Sequence, residues 1–463
     1  MISDRVVKRF VSAFFLCAGL VYAQGTGAIA IHNARIVPVS GAVIDRGTVV
    51  LRNGLIEAVG PNVNPPADAW VIEADGLTVY PGLIDALSTL GIPAPATPEA
   101  GTGGRAGGQA PGAQQAGQAA TQATSPARGP EDRPMTTSWV RAADLVRPND
   151  RRLETARAAG FTSSVTFPER GIFAGQGAIV DLAGETSGQM IVADNAGQYV
   201  SLATAGFGGG FPNSLMGVIA YVRQVYWDAD HYRVAKQFYL SHARGSQRPE
   251  YDRALEGVLD SPRVLLPATR RIDVDRMLRF AEEMRLNALL YGLPEGYRSA
   301  DLLKKANAAA LVNLHWPEPQ RDADPESPDS LQVLEVRDKA PSTPATLARS
   351  GVKFALYTGG FERRADFLRS LKRATEAGLS PGDALRALTL WPAEIYGVAD
   401  RLGSIESGKI ANLVVTKGEL LQEGTQVKYV FVDGQKFEPV EEPAPAGRSE
   451  AATPPSGPQG GNR

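Results

Sequence analysis

Between residues 138 and 398 the chain alternates short β-rich runs with amphipathic helical segments, and on either side of that region it is β-rich alone. This pattern restricts the fold more than any other feature. A strand followed repeatedly by a helix builds a parallel sheet, because each helix returns the chain to the same end of the next strand. β-rich runs fall at 161–167, 263–268, 287–293, 310–316 and 352–358, and helical ones at 274–285, 299–306, 365–377 and 381–390. Met277, Leu278, Phe280 and Ala281 carry the helical spacing of one segment, and Ser380 with Pro381 gives an N-cap and first-turn pair for another. With 463 residues, 43% of them apolar, the chain can bury a large core, and the expected fold is α/β, a closed (β/α)8 TIM-like barrel spanning 81–399.

The flanks are expected to meet. Runs at 28–37, 48–51 and 55–59 are β-rich, with Arg52-Asn53-Gly54 as a hairpin signal between the last two. After the barrel, 410–415 and 427–432 return to β character, followed by the turn Val432-Asp433-Gly434-Gln435. Segments 24–80 and 400–440 are therefore expected to form one small β-sandwich beside the barrel. From Thr97 to Pro130, proline aside, no apolar side chain exceeds alanine, so a disordered insertion is expected there, and the tail 441–463 has a similar composition.

The first 23 residues have the pattern of a secretory signal. Arg5, Lys8 and Arg9 precede an apolar run at 11–21, and Val21-Tyr22-Ala23 supplies small residues at the cleavage offsets. The expectation is an exported protein, bacterial and periplasmic or secreted, with no membrane span in the mature chain. Cys17 is the only cysteine and would leave with the signal, so no disulfide or thiolate metal site is expected. The net charge of −2 offers no basic excess for a nucleic-acid partner.

Taken together, the N-terminal β segment, Pro81-Gly82-Leu83-Ile84-Asp85 and the ending Leu402-Gly403-Ser404-Ile405-Glu406-Ser407-Gly408-Lys409-Ile410-Ala411-Asn412-Leu413-Val414-Val415 resemble the amidohydrolase superfamily, in its imidazolonepropionase-like secreted branch. Middle segments at 171–177 and 211–214 look like that branch too. Asn412 stands where the family motif usually has Asp. The resemblance implies a hydrolase whose zinc or other divalent ions lower the pKa of a bound water. It also implies the ligands: a His-x-His pair on the first strand, a carboxylated Lys or a Glu on a middle strand, a His on each of two later strands, and a final Asp.

Carried onto this chain, the first pair falls at Leu87 and Thr89, the later histidines at about Pro267 and Gly292, and the final Asp at Gly359. None can serve in the family's way, and the bridging Lys or Glu has no evident counterpart. Only four histidines exist: His32, His231, His242 and His315. No two lie within seven residues of each other. His32 sits on an accessory strand, His231 near an expected helix end and His242 in a polar stretch. His315, next to Trp316, follows a strand and is either a cleft residue or a structural histidine. Asp85, Glu169 and Glu295 are strand-end acids, read either as loop supports or as an acid/base pair working without metal. The Gly-rich run at 206–210 reads as a loop, not a phosphate cradle.

Three readings follow. In the first, the protein has lost the metal centre and acts as an exported binding protein or as a partner of an intact amidohydrolase relative, with no cofactor. In the second, it is a working hydrolase of non-peptide C–N bonds with a rearranged or metal-free site. In the third, an apolar small molecule occupies a strand-end pocket formed by Leu87, Thr89, Tyr291, His315, Trp316 and Tyr357.

Overall fold

The computed structural model describes residues 27–93, 129–205, 210–319, 329–361 and 363–439. The signal segment with Cys17, nearly all of the insertion, most of the Gly-rich run and the C-terminal tail lie outside these residues.

Strands from the two ends of the chain form one sheet. β1 (Ile29–Ile36), β2 (Ile44–Arg52), β3 (Leu55–Gly60), β4 (Trp70–Glu73) and β5 (Thr78–Pro81) come from the N-terminal side. The order β16-β15-β14-β5-β1-β2-β3 joins them to strands that follow the barrel, given below, with β4 pairing on β1. The hydrogen bonding thus makes a single composite sheet where the sequence suggests a sandwich. At the β2–β3 hairpin Asn53 and Gly54 both take positive φ, 52° and 78°, as a tight two-residue turn requires. Asp433 and Gly434 do the same at the C-terminal hairpin, φ 50° and 73°. The two turns lock together, since a Cβ on Gly54 would stand 2.4 Å from Asp433 Oδ1 and one on Gly434 3.0 Å from Gly54 Cα.

The barrel comprises β6 (Leu83–Ser88), β7 (Phe161–Thr166), β8 (Phe173–Asp181), β9 (Ile191–Val200), β10 (Val264–Ala268), β11 (Ala288–Gly292), β12 (Ala310–Asn313) and β13 (Phe354–Tyr357), hydrogen-bonded in that order. It is nearly closed, with β13 packed beside β6. The remaining strands, β14 (Leu413–Lys417), β15 (Gln426–Val432) and β16 (Gln435–Phe437), belong to the composite sheet, where β14 pairs antiparallel with β5.

One strand departs from the regular β/α pattern. β8 runs antiparallel to both β7 and β9, while the other pairs are parallel. The cause is connection length. Only residues 167–172 separate β7 from β8, too few for the crossover of a dozen or more that a parallel pair requires.

Alternation along the strands sorts the side chains into two cores. Leu265, Leu289, Leu311 and Ala355 point into the barrel, whereas Leu266, Leu290, Val312 and Leu356 face the helices outside. Those helices contribute Val274, Met277, Phe280 and Ala281 from Arg271–Glu283, and Phe367, Leu368, Leu371 and Ala374 from Arg364–Glu376. Ser380 caps as expected, its side chain accepting from Asp383 N–H. The helix it starts stops at Ala387, and a separate helix, Leu390–Tyr396, follows after Thr389 leaves helical geometry. His231 lies mid-helix, within Leu215–Ser241, and not near an end.

Candidate functional site

The same alternation that fills the barrel builds its mouth. Two residues beyond Leu289, Leu311 and Ala355, side chains of the same parity reach the C-terminal strand ends: Tyr291, Asn313 and Tyr357. With Tyr199 from the end of β9 they line a cavity of about 640 Å³. Leu87, Leu90, Phe161, Phe361 and Phe367 give it apolar walls, Asp85 and Glu169 are its carboxylates, and Arg151, Arg152, Arg363 and Arg364 line it as well. The Tyr199 and Tyr291 rings stack with centroids 5.1 Å apart, and Phe167 lies 5.9 Å from Tyr199. The Tyr291 hydroxyl donates to the Val200 carbonyl at 3.1 Å. Burial raises the pKa of all three tyrosines, so they stay neutral donors at ordinary pH.

Asp85 is 1% exposed. Its Oδ1 accepts the Thr358 N–H at 3.0 Å and its Oδ2 the Thr358 hydroxyl at 2.6 Å. Burial pushes its carboxyl up to about 6, while the Thr358 hydrogen bonds pull the other way. Glu169 stands on the cavity wall and remains open to solvent. The protein mass around it raises its pKa, and the Arg152 charge opposes that rise.

Thr89 is held by a cation. Arg152 Nη1 donates to Thr89 Oγ1 at 3.0 Å, while Nη2 donates to the carbonyls of Thr89 at 2.9 Å and Ile92 at 2.6 Å. Asp150 anchors the same guanidinium through Nε and Nη2. At the other aligned positions, Leu87 is buried apolar surface and Gly359 has φ 65°, where a Cβ would lie 2.5 Å from Asn313 Oδ1. In this backbone any side chain at 359 would take a positive φ and would have to displace the Asn313 amide. At β11 the inward side chain is Tyr291, and Gly292 falls on the outward parity. Among the described residues, no group of three or more His, Cys, Asp and Glu side chains could hold a metal ion. The residues present do not fit the family's divalent ion.

Leu87, Thr89, Tyr291 and Tyr357 meet at the cavity together with Asp85 and Glu169. Three other expected residues do not. Trp316 turns outward, 3% exposed, because its indole N–H finds the Ser370 carbonyl at 2.8 Å within the helix layer. His315 is exposed and stacks on Phe361 with centroids 5.5 Å apart. Glu295 is buried outside the barrel mouth and accepts from Arg271 N–H at 3.3 Å. Sequence reasoning missed Tyr199, Asn313, Thr358 and Arg152. Asn313 had a signal, two positions past Leu311 in a strand, and Arg152, coming from a helix, had none.

Comparisons with known proteins agree on the family. A profile of the amidohydrolase family matches residues 282–437. The chain is 49% identical over 49 residues to N-acetylglucosamine-6-phosphate deacetylase of Haemophilus influenzae, a match covering 10% of this chain and only 13% of that enzyme. An amidohydrolase from Thermotoga maritima MSB8 superposes with a TM-score of 0.69 at 26% identity, over 89% of this chain and all of the other. A prolidase crystallised with N-methylphosphonate-L-proline superposes at 0.51 and 16% identity, over 89% of this chain and all of that one, a likeness of fold alone.

Proposed function

Because this chain belongs to the amidohydrolase superfamily, we propose that it keeps the family's substrate-sized cavity without the metal chemistry and serves as an exported binding protein for a small, partly aromatic molecule. The observation that carries this reading is the Arg152–Thr89 contact. A guanidinium occupies the hydroxyl at a position where the family places a metal-ligating imidazole, and like charges repel a divalent ion. The other aligned positions, Leu87, Pro267, Gly292 and Gly359, carry no ligating side chain in compensation. Export rests on the N-terminal sequence alone.

The ligand class follows from the cavity lining. Apolar walls and the Tyr199–Tyr291 stack favour a flat aromatic body, and the arginines at 151, 152, 363 and 364 in the same lining favour an acidic group on it. Asn313, Glu169 and the neutral tyrosine hydroxyls supply a few polar contacts to orient it. Thr358 engages both oxygens of Asp85, which argues against acid/base hydrolysis by the two carboxylates although both line the cavity.

The test is elemental analysis of the purified protein after dialysis against excess zinc or manganese. Well under one equivalent per chain is expected. A stoichiometric ion, lost on chelation together with a hydrolytic activity, would overturn the proposal.

A further inference from the structure

The helix Leu215–Ser241 has two apolar faces, and among the described residues only one is buried. Val218, Tyr221, Val222, Val225, Ala229 and Tyr232 are buried against the barrel. On the opposite side, at the spacing of a helix seam, Met216, Trp227, Val234 and Phe238 are 80, 53, 50 and 56% exposed, with the exposed Ala220 between them. A helix of this kind normally buries both faces. These side chains, interrupted by Arg223, Asp230 and His231, mark out a stripe about 33 Å long at 1.5 Å per residue, the kind of surface that marks an interface.

We infer that this stripe pairs with the same stripe of a second copy of the chain, antiparallel about a two-fold axis at Trp227. The occupant is indicated by the symmetry of the sequence around that residue. Met216 and Phe238 stand eleven residues on either side of Trp227, and Ala220 and Val234 stand seven. Antiparallel pairing therefore sets Met216 against the second copy's Phe238, small Ala220 against its Val234, and Trp227 against its own counterpart. The charges also match: Arg223, four residues before Trp227, comes level with Asp230 and His231 of the second copy, three and four residues after it, where Asp230 already holds Arg233 of its own helix and would bridge to Arg223 as well. Arg223 is already oriented, bonded to Glu283 at 3.0 and 2.9 Å with its guanidinium 5.6 Å from the Phe280 ring centre. A parallel arrangement would instead stack Arg223 on Arg223 and Asp230 on Asp230. The same surface patch used on both chains is the requirement of a closed two-fold dimer.

Sedimentation velocity of the full-length protein at micromolar concentration tests the inference, and a dimer is expected. Trp227→Glu puts two like charges on the axis and should raise the dimer dissociation constant roughly 30-fold or more, the effect of losing a central anchor, with the far-UV circular dichroism spectrum unchanged because Trp227 is exposed in the single chain. Disulfide trapping then checks the register in a chain with Cys17→Ser. Trp227→Cys alone should form a covalent dimer on mild oxidation. Val234→Cys alone should not, but should do so together with Ala220→Cys. A wild-type monomer, a dimer indifferent to Trp227→Glu, cross-linking at 234 as efficient as at 227, or association solely with a different barrel protein would each overturn the pairing.

Discussion

Asp85, within β6, accepts both the backbone N–H and the hydroxyl of Thr358, which follows β13 and lies 273 residues away. These two bonds tie the first barrel strand to the last. β6 and β13 pack together without pairing in the hydrogen-bonded order, so a side chain supports the seam where ladder bonds are lacking.

Asp85→Ala should therefore destabilise the fold by about 1–3 kcal/mol, because it leaves two half-buried Thr358 donors without their acceptor. Urea unfolding would measure it. Asp85→Asn keeps an acceptor and should cost less.

The same carboxyl gives a pH dependence opposite to that of a salt-bridged acid. Its folded pKa, about 6, is above the unfolded value near 3.9. Between these values the native state binds more protons than the unfolded one, so the Asp85 contribution to stability falls as pH rises from about 4 to about 6. The size is of the order of 2–3 kcal/mol. Denaturation midpoints of the wild type compared with Asp85→Asn across this range should show the slope flattened in the variant.

Asn412 departs from the family motif for a reason visible at Asp181. Its amide donates to Asp181 Oδ1 at 2.7 Å and to Ser163 Oγ at 3.0 Å, and its carbonyl accepts Asp433 N–H at 2.8 Å. Asp181 is 3% exposed, and burial pushes its carboxyl up to about 7. Asn412→Asp, which restores the family's usual residue, would set two buried carboxylates together and should cost about 3–5 kcal/mol at pH 8. The loss should shrink in acid, where the pair can share a proton. A second change, Asp181→Asn, should recover most of it, and a thermal melt of the double variant would show whether it does.

Arg152→Ala should destabilise by about 2 kcal/mol, since it frees two carbonyls and a hydroxyl in the loop after β6. Arg152→Lys should rescue less than half, because an ammonium cannot reproduce the planar fork. Chemical denaturation of the three proteins compares them directly.

Gly359→Ala should cost about 1–3 kcal/mol through its positive φ and its contact with Asn313. It should also displace Asn313 from the cavity wall. The melting temperature reports the first effect, and a crystal structure of the variant reports the second.

Much of this architecture was legible locally. Turn chemistry at Asn53-Gly54 and Asp433-Gly434, the Ser380 cap, and the strand and helix periods at 263–293 all follow from sterics within a few residues. Leu87, Thr89 and Gly359 lack metal-binding groups as a matter of residue type. The reversal of β8 could also have been read, from the short 167–172 link. It was missed because the β/α rhythm elsewhere suggested a uniform parallel sheet.

The sequence by itself determined the local elements, the family likeness and the residues that cannot grip a cation. Only the tertiary structure decided that Arg152 clasps Thr89, that Asp181 needs an amide from position 412, that Trp316 faces the helices and not the mouth, and that one long helix keeps an apolar side uncovered. Local pattern arises from backbone sterics and side-chain period over one or two turns. These contacts depend instead on where barrel closure brings residues far apart in the chain, 231 positions for Asp181 and Asn412, and no neighbouring residue records that distance.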